Sequence, residues 1–462
     1  MTLIKTLSGI RGTIGGHPDD CLNPLDIVKY ATAFAQFLGA RKVVVGRDSR
    51  PSGPMVRDIV VGTLVAMGCH VVDIGLASTP PTAFAVRAAH ADGGIIITAS
   101  HNAQNWNALK LLNNQGELLS APHCSQVLSM AHEGRFHYAE VSQLGKVIDD
   151  QQFHQQHIDA VLRLPLVNVD AIRQRRFRVC VDAVNSVGAT LLPPFLQALG
   201  IDYEMLNTQC DGHFPHPLDF NERNLQGITD RMKKDQFDLG IVVDSDVDSL
   251  TIVCEDGSMF GQEYVLLAVA DYVLRHTPGN VVSHLSNTRA LRDVTQQRGG
   301  HYFASVVGEP NLTQKMKEVN AIIGGDGNGG IIYPPSHYGR DALVGIALFL
   351  STLAQQQTTV SQLRATFPNY SIVKNHIDLT ADIDVDTIFH EVKKRFVHDV
   401  SASITDIDGL KIDYPDRWVH LRKSNTEPVI RVYSEAQTIE HADDLGNQLM
   451  RYFYDLRRSV SR

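Results

Sequence analysis

An apolar strand that opens directly into a loop of small polar residues recurs along this chain, and this recurrence restricts what the chain can fold into. Residues 94–97, 239–243 and 321–323 are such strands, and helical patterns lie between them. Strands that alternate with helices and are apolar on both faces are typical of doubly wound α/β domains and indicate parallel sheets. Ligands bind at the carboxyl ends of the strands in these domains, so the loops that follow the strands are the candidate functional segments.

The repeated pattern also predicts the domain organisation. A chain of 462 residues is too long for one hydrophobic core, and each α/β unit has the usual domain size of roughly a hundred residues. From about Tyr370 onward the pattern changes to that of an α+β domain. We therefore predict three similar doubly wound α/β domains at residues 1–165, 166–256 and 257–368, and a C-terminal α+β domain at residues 369–462.

Composition and charge exclude several classes of protein. The net charge is −9 with both signs interspersed, which is unlike a nucleic-acid-binding face. The first residues lack the apolar run of a signal peptide, and the longest apolar stretch, residues 343–353, is shorter than the ~20 residues that span a membrane. Six cysteines without a Cys-x-x-Cys pair indicate reduced thiols. We expect a cytoplasmic protein that binds neither nucleic acid nor membranes.

Two of the loops carry groups suited to phosphoryl chemistry. Ser100 follows the strand at residues 94–97, where a hydroxyl can act as a nucleophile or carry a phosphate; an ordinary polar turn is the alternative. Asp244, Asp246 and Asp248 alternate after the next such strand, and an extended or tightly turning loop would bring their carboxylates to one side. A dication such as Mg²⁺ or Ca²⁺ would offset their repulsion. A solvated acidic turn is the alternative there.

Cations and hydroxyls gather at two further places. Residues 422–426 combine two cations, two hydroxyls and an amide between two strands, which suits a phosphate dianion, and Arg431 could add to them. Arg11 stands in a glycine-flanked loop and is either a phosphate contact or a solvated charge. The alternative for residues 422–426 is a solvated basic turn.

A glycine-rich loop at residues 324–330 contains one carboxylate, Asp326, and one amide, Asn328. It lacks the lysine of a P-loop, and prolines stand where the helix of a dinucleotide-binding loop would run. The loop is therefore either a bare hinge or a segment whose two polar side chains bind sugar hydroxyls.

The four loops together, in this order and spacing, resemble the motifs of the α-D-phosphohexomutases, a family that includes phosphoglucomutase, phosphomannomutase and phosphoglucosamine mutase. The motifs are residues 98–102, 244–248, 324–330 and 422–428. Variants at residues 8–12, 106–110 and 327–330 are most similar to the phosphoglucosamine mutase branch. The resemblance covers essentially the whole chain and implies three similar α/β domains and a fourth domain of another fold around a central cleft.

The resemblance further implies that a hexosamine or hexose 6-phosphate and its 1-phosphate are interconverted through a phosphoserine and a bisphosphate. It implies Mg²⁺ as cofactor, the glucosamine or hexose 1,6-bisphosphate as intermediate and activator, and a monomer or homodimer. Phosphoglucosamine mutase activity is the leading expectation; phosphomannomutase or phosphoglucomutase activity is the alternative. The implied site residues are Ser100 as phosphoserine; Ser100, Asp244, Asp246 and Asp248 for the metal; His101 and Lys110 for proton transfer; Arg11 for the reacting phosphate; Asp326 and Asn328 for sugar hydroxyls; and Arg422, Ser424, Asn425 and Thr426, with Arg431 beside them, for the other phosphate.

The chain departs from the family's pattern at four positions. Ser249 stands where most relatives have arginine, and Asp326 where they usually have glutamate. Ala103 replaces a common proline, and Gly330 stands where many relatives have histidine. The loss of a charged contact can cost about 2–4 kcal/mol of transition-state stabilisation. A catalytically weak sugar-phosphate-binding protein therefore stays open as a further alternative.

Overall fold

Four β-sheets, each covered by helices, follow one another along the chain in the computed structural model. The structure describes residues 2–7, 9–17, 20–39, 41–379, 384–424 and 429–460. The predicted fold class, three α/β units followed by a different C-terminal unit, is confirmed. The predicted limits between the domains stay predictions.

The first unit contains β1 (Ile4–Thr6), β2 (Gly9–Thr13), α1 (Pro24–Leu38), β3 (Lys42–Arg47), α2 (Gly53–Ala66), β4 (His70–Leu76), α3 (Thr79–Ala88), β5 (Gly93–Ile97), β6 (Trp106–Leu112), α4 (Ala121–Glu133), a 3₁₀ turn (Val141–Gln143) and β7 (Val147–Asp149). The sheet order is β1-β2-β6-β5-β3-β4-β7. Alternate residues of β3 pack into hydrophobic clusters on opposite faces, as a doubly wound sheet requires.

The first sheet is mixed, whereas the sequence pattern indicated a parallel arrangement. Strands β5, β3, β4 and β7 are parallel, but β6, β2 and β1 run antiparallel to their neighbours. The reason is the connection at residues 98–105, a short loop between β5 and β6. A parallel neighbour would need a long crossover, usually a helix, whereas a short loop returns the chain in the opposite direction.

The second and third units have four-stranded sheets in the orders β11-β10-β8-β9 and β13-β12-β14-β15. The second contains α5 (Phe153–Leu162), α6 (Val169–Arg175), β8 (Arg178–Asp182), α7 (Gly188–Ala198), β9 (Asp202–Leu206), α8 (Gln226–Lys234), β10 (Leu239–Val243) and β11 (Leu250–Val253). The third contains α9 (Gln262–His276), β12 (Asn280–His284), α10 (Arg289–Gln297), β13 (His301–Ser305), α11 (Glu309–Glu318), β14 (Ala321–Gly325), β15 (Ile331–Ile332), α12 (Ala342–Gln356) and α13 (Val360–Ala365).

One large hydrophobic core joins the second and third units. Helix α12 packs against α9 and also contacts α5 and α6, and its residues are buried from Ala342 to Ala354. This burial accounts for the apolar run at residues 343–353, because a helix that is surrounded by protein is apolar on every face. Among the described residues, no helix combines the length and the apolar character needed to cross a membrane.

The fourth unit is an antiparallel sheet in the order β16-β20-β19-β18-β17. It contains β16 (Ser371–Asp378), α14 (Val385–Phe396), β17 (Ser403–Thr405), β18 (Leu410–Asp413), β19 (Trp418–Lys423), β20 (Val429–Ala436) and α15 (Ile439–Val460). Glu435 on β20 is fully buried and accepts hydrogen bonds from the Thr288 hydroxyl and, at 2.9 Å, from the Arg289 amide at the start of α10. This contact holds the fourth unit against the third.

Phe349→Ala should lower the free energy of unfolding by about 3–5 kcal/mol. The Phe349 ring is fully buried on α12 and meets Phe260 edge-on at a centroid distance of 5.1 Å. Because the core is shared, amide hydrogen exchange should accelerate in β10 as well as in β14. Leu25→Ala is the control, since its side chain is 77% exposed and should change neither measurement. Acceleration confined to β14 would contradict a shared core.

Candidate active site

The loops at the carboxyl ends of strands from all four units meet around one cleft of about 480 Å³. Its lining includes His101, Asp244, Asn328, Arg340, Arg422 and Arg431. The structure therefore brings together residues of all four sequence motifs.

Ser100 follows β5 and lies against the acidic loop of the second unit. Its Oγ donates a hydrogen bond of 2.8 Å to Asp244 Oδ2, and its side chain is buried. Its φ of +48° lies in the left-handed region, which costs a non-glycine residue about 1–3 kcal/mol and is concentrated at functional sites. The Ser100 amide donates to Thr98 Oγ1 at 3.0 Å, which helps to fix this conformation.

Arg50, to which the sequence analysis gave no role, fixes the backbone of the Ser100 loop. Its guanidinium is fully buried and donates to the carbonyl oxygens of Ser100 at 2.6 Å, Asn102 at 2.7 Å and Trp106 at 3.0 Å. Its Nε pairs with Asp48 Oδ2 at 3.0 Å. A signal was present in the sequence, because Arg50 stands in the loop that follows a buried strand, β3.

The carboxylates of Asp244, Asp246 and Asp248 converge, and one oxygen from each lies within 4.8 Å of the others. The loop turns sharply, with Val247 at a φ of +54°. Asp244 Oδ1 closes the turn by accepting the amides of Asp248 and Ser249, both at 3.1 Å. All three aspartates are buried, so their charges need partners inside the protein.

Lys110 on β6 supplies one of these partners. Its Nζ lies 2.6 Å from Asp246 Oδ2 and 3.0 Å from Asp248 Oδ2. Although burial lowers the pKa of Lys110, the two aspartates raise it above its ordinary value, so the ammonium stays protonated. Burial raises the pKa of Asp244 well above its usual range, and its two acidic neighbours raise it further. An additional cation at this cluster would therefore relieve repulsion.

One carboxylate oxygen of the cluster is left for a ligand. Asp246 Oδ1 is buried and has no hydrogen-bond partner among the residues that the structure describes. A buried acceptor without a partner is costly, and a bound cation would satisfy it. The residues present therefore fit a metal ion with oxygen ligands, the kind of site that Mg²⁺ prefers.

Arg11 and His101 lie beside the Ser100 loop. The expectation that Arg11 stands in a loop is wrong, because residues 9–13 pair with β6 and form strand β2. Arg11 Nη1 donates to Asn102 Oδ1 at 3.2 Å, whereas its buried Nε has no partner within the described part of the chain. Desolvation in the cleft lowers the pKa of His101, and the charges of Arg11 and Arg340 lower it further. The His101 imidazole is therefore neutral near pH 7 and able to accept a proton.

Backbone amides of the glycine-rich loop bind the carboxylate of Asp326, which belongs to the same loop. Asp326 Oδ1 accepts the amides of Asn328 at 3.0 Å and Gly330 at 3.1 Å, and its Oδ2 lies 3.3 Å from Arg340 Nη1. Both carboxylate oxygens are thus engaged within the protein, while Asn328 lines the cleft. Sequence reasoning missed Arg340, because it stands before a core helix and belongs to none of the motifs.

The fourth unit contributes a wall of cations. Arg422 on β19 and Arg431 on β20 are directly opposite each other in the antiparallel register, and both line the cleft with Lys374 and Tyr433. Like charges in that position repel, so a bound anion between them would be stabilising. Ser424 is buried at the end of β19. Asn425 and Thr426, predicted for the same site, lie outside the described residues.

Comparison with known proteins gives matches along nearly the whole chain. Models of the phosphoglucomutase/phosphomannomutase family match in order: α/β/α domain I at residues 3–137, domain II at 155–257, domain III at 261–370 and the C-terminal domain at 384–451. A phosphoglucomutase/phosphomannomutase of Thermococcus kodakarensis is 33% identical over 453 residues, which are 95% of this chain and 98% of that protein. A probable phosphoglucosamine mutase of Methanopyrus kandleri is 30% identical over 96% of both chains.

A solved structure agrees with these matches. The crystal structure of a phosphoglucomutase/phosphomannomutase family protein from Burkholderia thailandensis has a TM-score of 0.84 and 26% identity, and the alignment covers 97% of this chain and 96% of that one. The family predicted from the sequence motifs is confirmed. The chain belongs to the phosphoglucomutase/phosphomannomutase family, the α-D-phosphohexomutases.

Proposed function

We propose that this phosphohexomutase interconverts glucosamine 6-phosphate and glucosamine 1-phosphate through a phosphoserine at Ser100. The observation that carries the proposal is the 2.8 Å hydrogen bond between Ser100 Oγ and Asp244, inside an acidic cluster that shares its cleft with paired arginines. Phosphomannomutase or phosphoglucomutase activity is the alternative, because a relative with that name matches the chain at similar identity.

Each half of the proposed reaction moves one phosphoryl group and two protons. The free hydroxyl oxygen of the sugar monophosphate bonds to phosphorus while the bond from phosphorus to Ser100 Oγ breaks. Neutral His101 accepts the hydroxyl proton, and protonated Lys110 donates a proton to the departing Oγ. The resulting 1,6-bisphosphate reorients within the cleft. In the second half of the reaction its other phosphate is transferred to Ser100, the serine proton returns to Lys110, and His101 returns its proton to the sugar oxygen.

The acidic cluster and Arg11 would stabilise the charge of the group in transit. The phosphate on Ser100 and the carboxylates of Asp244, Asp246 and Asp248 would hold Mg²⁺, which supplies charge compensation for the phosphoryl oxygens. Asp246 Oδ1, which has no partner among the described residues, supports this assignment. Arg11 would bind the same phosphate through its Nε, which also has no partner in the described chain.

The phosphate that does not react would be bound by the fourth unit. Arg422 and Arg431 provide paired positive charge, and we assign Ser424, Asn425 and Thr426 to the same anion. Asn328, with Asp326 behind it, would bind the sugar hydroxyls. The cofactor would be Mg²⁺, and a sugar phosphate would be the small-molecule partner. A monomer or homodimer, and a cytoplasmic location, stay predictions of the sequence.

A coupled assay on three substrates tests the proposal. Glucosamine, mannose and glucose phosphates would each be supplied with Mg²⁺ and the matching 1,6-bisphosphate as primer. The highest kcat/KM with glucosamine phosphate supports the proposal, and the highest value with mannose or glucose phosphate supports the alternative. Tight binding of one sugar phosphate without any turnover would instead identify a catalytically weak binding protein.

Ser100→Ala should abolish mutase turnover and leave the fold intact, because the phosphate carrier is lost while a small buried side chain is kept. Intact-mass measurement after incubation with bisphosphate should show a phosphoryl group on the unchanged protein and none on the variant. Ser129→Ala, which changes an exposed serine on α4, is the matched control and should keep both activity and phosphorylation. An active Ser100→Ala protein would refute the phosphoserine mechanism.

Arg422→Ala should raise the KM for monophosphates by roughly tenfold to a hundredfold, because hydrogen bonds to a charged group contribute about 1.5–3 kcal/mol. The kcat should change less, since the bound phosphate does not react. Arg417→Ala is the control, because Arg417 lies on the turn before β19 with 44% of its side chain exposed. Steady-state kinetics would contradict the assignment if the KM of the Arg422 variant stayed unchanged.

A further inference from the structure

Three of the positions at which the chain departs from its family's pattern meet at one side chain, that of Arg340. Arg340 Nη1 donates to Ser249 Oγ at 3.1 Å and to Asp326 Oδ2 at 3.3 Å. The arginine stem passes over Gly330, where an added Cβ would lie 2.3 Å from Arg340 Cδ. The serine and the aspartate thus bind this arginine, and the glycine leaves the space that its stem occupies.

Arg340 is held on two further sides and always carries its charge. Its Nε donates to Glu309 Oε2 at 2.8 Å, and its Nη2 lies 2.9 Å from Asp248 Oδ2. A guanidinium stays protonated in proteins, so the charge of Arg340 does not depend on these partners. The side chain is 17% exposed and lines the cleft beside Asp244 and Ser249.

We propose that Arg340 is a catalytic cation of this enzyme, which supplies from just before α12 the positive charge that most relatives carry directly after the third aspartate. In this role, which rests on the proposed function, the guanidinium binds an oxygen of the phosphoryl group in transit. The new bond from the sugar oxygen to phosphorus forms as the bond to Ser100 Oγ breaks. Arg340 keeps its proton throughout and offsets the developing charge.

The ion pair with Asp248 does not by itself account for this arrangement. Lys110 already lies 3.0 Å from the same Asp248 oxygen, so Asp248 has a cationic partner without Arg340. The side chain also reaches the cleft and lies against Ser249, the position that carries the cation in relatives. A planar guanidinium presents several donors at once, and it can therefore hold Asp248 and a phosphate oxygen together.

The test moves the charge between the two positions. Arg340→Met should lower kcat by about 10²–10³-fold, the usual effect of losing one transition-state donor, with a smaller change in KM. Arg340→Lys should retain part of the rate. Gly330→Ala should lower kcat as well, because its Cβ displaces the arginine. The double variant Ser249→Arg with Arg340→Met should recover much of the lost rate, because it places a guanidinium directly after Asp248.

Controls separate this role from others. Arg275→Met should keep the full rate. Arg275 is 39% exposed and pairs with Asp271 away from the cleft, and Asp271 keeps Arg298 as a second cationic partner. Thermal unfolding establishes that each variant is folded. Recovery of Arg340→Met by high Mg²⁺ alone would mean that Arg340 acts through Asp248, which overturns the proposal. An unchanged kcat in a folded Arg340→Met protein overturns the proposal too. If the protein without substitutions turns over no hexose phosphate, the proposed function itself is refuted.

Discussion

The buried cluster of Asp244, Asp246 and Asp248 is the constraint on which the arrangement of the units depends. Charges inside a protein are costly unless they are paired, and no two of these carboxylates can neutralise each other. The pairing cations come from other units: Lys110 from the first and Arg340 from the third. The charge of one loop is therefore paired by side chains from both neighbouring α/β units, and this pairing lies at the cleft that residues of all four units line.

Backbone strain accompanies this charge clustering. Ser100 and Val247, one in each of the facing loops, both have φ near +50°, a conformation that a β-branched residue such as Val247 rarely adopts. The strain is offset locally. Arg50 binds the carbonyl oxygen of Ser100, and Ser245 Oγ donates to the same oxygen at 2.9 Å. The Ser100 hydroxyl is thus presented by a loop whose conformation the neighbouring unit helps to enforce.

Local pattern was sufficient for the strands and for the loops that follow them. The proximity of Ser100 to Asp244 follows from the rule that the carboxyl ends of strands form ligand sites, although nothing in the sequence gives the 2.8 Å contact itself. Strand β6 was not predicted at all, and a local hydrophobic pattern would not have shown its antiparallel direction. Arg50 and Arg340 were missed for a related reason: their roles come from contacts distant in sequence, such as that between Arg340 and Asp248, which no local period encodes.

The two ends of the cleft differ in charge, and this difference can orient the substrate. At the Ser100 end, the three carboxylates lie with the cations Lys110, Arg340 and Arg11, and in the proposed mechanism a phosphate on the serine adds negative charge. At the other end, the described residues that line the cavity include the cations Arg422, Arg431 and Lys374, with the carboxyl of Glu263 near Lys374. In the proposed mechanism the first end already holds the phosphate of Ser100, so a monophosphate is expected to bind its own phosphate at the second end, with its free hydroxyl directed toward Ser100. A bisphosphate carries a phosphate at both of its ends. The preference of a phosphate for the arginine end of the cleft therefore does not distinguish its two orientations. The same difference in charge between the two ends therefore favours the productive orientation of the substrate and permits the bisphosphate to reorient.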